Sequence, residues 1–134
     1  MKKTYSGSCH CGIVRFEAAI DLAEETSKCN CSICTKGRFW KTMVPADGFR
    51  LLQGDGSLTD YQFGRKSIRH FFCKICGIKT FGRIEIPELG GTVYAVNVSC
   101  LDDATTEEWA KAPVVFQNGR DDDYEHAPSE TRYL

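Results

Sequence analysis

Three cysteines stand within six residues, Cys29, Cys31 and Cys34, in the run CNCSIC. Thiolates so close together are foremost metal ligands, and a structural zinc ion takes four. Three is the count of a catalytic zinc site, which leaves its remaining position to solvent or substrate. Two more pairs, Cys9-x-Cys11 in CHCG and Cys73-x2-Cys76 in CKICG, each end on a glycine, and Cys100 stands alone. Glycine there suits a tight turn of positive φ that lets backbone amides wrap around a sulfur. Joined, Cys9, Cys11, Cys73 and Cys76 make a complete four-thiolate set, able to staple an N-terminal strand to a distant hairpin. The triad then remains for a second zinc. At this level its state stays open: an open catalytic position, a site closed by Cys100 or by one of His10, His70 and His126, or an idle triad beside a single zinc.

The elements that position these residues read as mainly β. Strand-like runs are GIVRFEAAI (12–20), FWKTMVP (39–45), FRLLQG (49–54), LTDYQF (58–63), IRHFFC (68–73), KTFGRI (79–84) and TVYAVNVSC (92–100), bounded by Gly, Pro and Asp. A last strand is expected in VVFQNG after Pro113. Helix is confined to TTEEWAKA (105–112), with cap-type threonines and early glutamates before Pro113, and to one turn after Cys31. Such strand spacing predicts an antiparallel sheet protein of one domain over residues 1–134.

Composition narrows the class. The 134 residues carry a net charge of −1, with 42% hydrophobic and 26% charged residues, as in an ordinary soluble globular protein. Nothing in that balance draws the chain to nucleic acid or an anionic membrane. Lys2 and Lys3 have no apolar run behind them, and no segment reaches the roughly 18 apolar residues of a membrane span. The expected compartment is the cytoplasm, where eight cysteines are thiols or metal ligands rather than disulfides.

In this order and at these distances, GSCHCGIVRFE, CNCSIC, FFCKICG and VNVSCLDD resemble the glutathione-dependent formaldehyde-activating enzyme family, which shares its domain with centromere protein V. The resemblance covers residues 5 to 103. It implies a zinc-stapled antiparallel β-tent with two zinc ions per chain. The structural zinc falls on Cys9, Cys11, Cys73 and Cys76, and the catalytic zinc on Cys29, Cys31 and Cys34. The implied reaction joins glutathione to formaldehyde as S-hydroxymethylglutathione, a carbon–sulfur lyase chemistry run in the direction of addition.

The chemistry is consistent with an open three-thiolate site. An incoming thiol loses its proton beside the metal, and held next to an aldehyde it attacks the carbonyl. Lys36, Arg38 and Lys41, interleaved with Phe39 and Trp40, could line the mouth and clamp the carboxylates of glutathione, or form a solvated turn beside core aromatics. Arg65, Lys66 and Arg69 read as a hairpin surface, and the three aspartates at 121–123 as a solvated turn. Two other classes compete: a non-catalytic zinc-binding interaction module, and a methionine-sulfoxide-reductase-like enzyme whose nucleophile would be Cys100, expected otherwise as a buried, unligated thiol.

Overall fold

The computed structural model describes residues 1–134. Ten strands form two sheets, and two short helices flank them. The smaller sheet has the order β1 (Lys3–Ser8), β2 (Arg15–Ile20), β5 (Phe49–Gln53), all antiparallel. The larger sheet runs β10 (Val114–Gln117), β3 (Thr26–Cys29), β4 (Trp40–Pro45), β9 (Gly91–Asn97), β8 (Lys79–Ile86), β7 (Ile68–Cys73), β6 (Leu58–Tyr61).

The sheets pack through alternating residues. On β2, Phe16, Ala18 and Ile20 point inward and meet Val44 and Val96 of the larger sheet. Aromatic rings bridge the layers: Phe49 stacks on Tyr94 with centroids 4.2 Å apart and touches Phe16 at 5.6 Å. The larger sheet divides its residues between two faces. Val96 lies in this main core, whereas its neighbour Ala95 packs on the opposite side against Phe39, Cys29 and Cys34.

The eight expected strands are all present. Two more, β1 and β3, occupy polar or very short segments that carry no apolar alternation. One pairing departs from the antiparallel expectation: β10 runs parallel to β3, with Val114 opposite Thr26 and Gln117 opposite Cys29. The connection from β9 passes through helix α2 (Thr106–Lys111), a crossover long enough to bring the chain back to the end of the sheet where β9 began, so that β10 runs in the direction of β9 and β3. Helix α2 begins with a capping box, the Thr105 hydroxyl accepting from the Glu108 amide at 3.0 Å and the Glu108 carboxylate accepting from the Thr105 amide at 2.9 Å. A second helix, α1 (Ser32–Gly37), takes up the turn after Cys31. No helix is long and apolar enough to cross a membrane.

Candidate metal centre and active site

The knuckle Cys9–Val14 joins β1 to β2 in the smaller sheet, and the knuckle Cys73–Ile78 joins β7 to β8 in the larger one. Their sulfurs converge: the ligand atoms of Cys9, Cys11, Cys73 and Cys76 all lie within 4.8 Å of one another. Gly12 and Gly77 adopt φ of +82° and +77°, as their places in the knuckles require. The amides so directed do electrostatic work. Val14 N–H donates to Cys9 Sγ at 3.3 Å, and Ile75 N–H donates to Cys73 Sγ at 3.4 Å. Four thiols with amide donors around them could hold a metal ion. The group joins one sheet to the other.

The triad lies on the far face of the larger sheet. Cys29 ends β3, Cys31 caps α1 and Cys34 sits within it. Cys29 and Cys34 are buried beside Phe39, with Cys31 and Ile33 at the edge of the cluster. The three thiols are mutual neighbours, although they do not close into as compact a set as the four. The neighbouring Cys31 and Cys34 thiols, helped by the nearby amides of Cys31 and Gly119, hold Cys29 below an ordinary thiol. The neighbouring Cys29 thiol, then that of Cys31, then burial push the Cys34 thiol upward.

Remote residues hold the triad. The Asn30 side chain donates to Asn118 Oδ1 at 2.8 Å and accepts from the Arg120 amide at 3.0 Å, while the Arg120 side chain donates to the Asn30 carbonyl at 3.1 Å. Gly119 lies so close that a Cβ there would stand 2.6 Å from Cys29 Sγ. None of these has a sequence signal beyond the NG turn that ends β10.

A cavity of about 100 Å³ opens onto Cys29 and Cys34. Phe39 and Trp40 wall it, and Lys28 and Arg38 supply its positive charge. Arg38, in the left-handed region at φ +52°, also donates to the Tyr133 carbonyl at 2.9 Å. Of the basic residues expected at the mouth, Arg38 lines the cavity. Lys36 is exposed, and the Lys41 amine donates to Gln117 at 2.8 Å. Arg69 pairs with Asp60, and His126 with Asp123 on the surface.

Cys100 is buried in the main core, in a single turn just past β9 rather than within the strand. Its thiol donates to the Lys79 carbonyl at 3.7 Å, and burial pushes it up to about 12, the reverse of an activated nucleophile. It belongs to neither cysteine cluster.

An all-thiol knuckle pair, a three-cysteine cluster beside a cavity and a mainly β frame define a class in which the chain finds its relatives. It belongs to the glutathione-dependent formaldehyde-activating enzyme family, whose family model matches residues 4–118 and so extends past the expected end at residue 103 through α2 and β10. The chain is also similar to a Rhodobacter sphaeroides protein of known crystal structure, a structural-genomics target. The two share 29% identity with a TM-score of 0.68, over 82% of this chain and 99% of the other.

Proposed function

We propose that this chain, as one domain over residues 1–134, is a zinc-dependent carbon–sulfur lyase-type enzyme that reversibly adds a thiol, glutathione, to formaldehyde or another small aldehyde. The observation that carries the reading is the contrast in ligand number: a complete four-thiol set between the sheets, and a three-thiol cluster at a cavity. Family membership supports the glutathione and formaldehyde pair.

The residues fit two zinc ions. Cys9, Cys11, Cys73 and Cys76 would hold a structural ion, and Cys29, Cys31 and Cys34 a catalytic one, all-thiolate sets being suited to zinc. At the triad the ion supplies the Lewis acidity that ionises an entering thiol. The chain supplies the rest. Phe39 and Trp40 give the cavity an apolar wall beside its charged rim. Lys28 and Arg38 at its rim attract the carboxylates of the tripeptide, whose bulk exceeds the cavity and must lie across the mouth. The small volume admits the thiol end and an aldehyde of few atoms, fixing them side by side. The carbon–sulfur bond then forms without any redox step.

The test is the approach to equilibrium of S-hydroxymethylglutathione with zinc-loaded protein, the uncatalysed rate subtracted. A rate above background is expected. Absence of any rate with both zincs bound removes formaldehyde and glutathione as substrates. Two zincs unmoved by millimolar thiol would instead favour a non-catalytic interaction module.

A further inference from the structure

Tyr133 and Leu134 stand far from the triad in sequence, yet both line its cavity beside Cys29, Cys34 and Arg38. A local turn shapes the segment that carries them. The Leu134 amide donates to the Thr131 carbonyl at 3.0 Å, and the Glu130 carboxylate accepts from the Thr131 and Arg132 amides at 3.1 and 3.0 Å. That carboxylate also pairs with the Arg132 side chain at 2.7 Å, so the turn satisfies its own charges. Its hydrogen bond to the triad segment is the one from Arg38 Nη1 to the Tyr133 carbonyl, at 2.9 Å.

Arg38 caps α1, its amide donating to the Cys34 carbonyl, at φ +52° and ψ +49°. Left-handed backbone at a helix end favours glycine, and an arginine there is strained. What offsets the strain is the reach of its side chain to the cavity rim. Arg38 has no carboxylate within ion-pair distance, and neither has Lys28, whose Nζ lies 5.5 Å from the centre of the Trp40 ring. Both rim cations are therefore held by neutral groups, one by a carbonyl and one by a ring. A carboxylate binds a guanidinium about twice as strongly as a neutral acceptor does, and can use both of its oxygens. The Tyr133 carbonyl is thus the acceptor that an incoming carboxylate would replace.

We propose that Tyr133 and Leu134 form a strap that closes the empty cavity and yields Arg38 to the carboxylate of an entering thiol, so that the site takes bulky thiols only when they carry one. This rests on the reading of the cavity as a thiol site. The tripeptide lies across the mouth, where the strap already stands, and the two cannot be there at once. A bulky thiol therefore displaces the strap, and one with a carboxylate recovers the lost bond at Arg38. The strap touches no reacting atom. It sets specificity by holding the mouth closed for part of the time, which lowers the apparent affinity of any bulky ligand by the fraction that is open.

S-methylglutathione is the probe, since it keeps the bulk and both carboxylates but has no thiol to ionise or react. In zinc-loaded protein, truncation after Arg132 should tighten its binding about tenfold, as for a mouth open about one-tenth of the time. A strap that only supported the site would weaken binding on removal. In wild type labelled with 3-fluorotyrosine, the Tyr133 resonance, assigned among the five tyrosines by Tyr133→Phe, should shift as the probe saturates. The dimethyl ester of the probe, equal in bulk but without carboxylates, should bind wild type about tenfold more weakly, and Arg38→Gln should erase most of that difference. Affinity unchanged or weakened by truncation, a Tyr133 resonance unmoved at saturation, or equal binding of acid and ester overturns the proposal, as does failure of the probe to bind either protein. Exchange at the strap in a protein that shows no rate with glutathione and formaldehyde keeps this inference and rejects the substrate pair. A rate without exchange does the reverse.

Discussion

The two cysteine clusters are held by opposite means. The four thiols come from two hairpins in different sheets, and each knuckle wraps its sulfurs in its own amides, so the site brings most of its own support. The triad comes from one short stretch at the end of β3 and the start of α1, and it borrows support from residues ~90 positions away. On the proposed function, such a division separates the work of joining sheets from the work of leaving a ligand position free. A closed set tolerates distant change and fails by loss of a ligand, whereas an open set should be tuned by neighbours that never touch the metal.

The widest separation between the two should come from cysteine replacement. Cys76→Ser should cost one zinc and most of the folding free energy, since structural zinc contributes on the order of 10 kcal/mol in small domains. Metal content and a thermal melt decide it, and a normally melting Cys76→Ser would break the contrast. Cys31→Ser should lose the other zinc and all enzymatic acceleration, with a cooperative melt retained.

Gly119→Ala sharpens the comparison without removing a ligand. The added methyl group meets Cys29 Sγ, so overpacking of about 1–3 kcal/mol should fall on the triad. Competition with a chelator should show the second zinc weakened and the first unchanged. Equal weakening of both would mean the clusters are not independent.

The smallest effect is expected at Cys100, which lies in neither cluster. Cys100→Ala should keep both zincs at a cost of about 1 kcal/mol. Its folded thiol is raised from 9.0 to about 12 by burial, so the stability it contributes is complete below pH 9 and is lost as the pH rises through 12. Denaturant midpoints across that window should therefore fall less steeply in Cys100→Ala than in wild type.

The sequence carries the ligand groups because their signal is local. Two cysteines followed by a glycine specify a knuckle whatever surrounds it, and Gly12 and Gly77 adopt the positive φ that this reading demands. Helix α2 was legible for the same reason, its cap and its Glu108 lying within one turn. What was not legible depends on distant pairing. Strand β3 has four residues, mostly polar, and is recognisable only once β4 and β10 flank it. Gly119 reads as an ordinary turn glycine until Cys29 lies against it. Among the basic residues after the triad, spacing could not distinguish Arg38, which lines the cavity, from Lys41, which reaches Gln117 instead.

The parallel strand β10 also gives the molecule an order in time. Chains emerge N-terminus first, at roughly 5–20 residues per second. The four-thiol set is complete once residue 76 has appeared, whereas the triad gains its edge strand and the Asn118–Arg120 clasp on Asn30 only after residue 120. For a few seconds of each round of synthesis, on that rate, the nascent protein holds one finished set of ligands and three thiols without their cover. The first set thus emerges before the second gains its cover, and a chain stalled before β10 leaves the triad open to oxidation when the four knuckle cysteines have already been made.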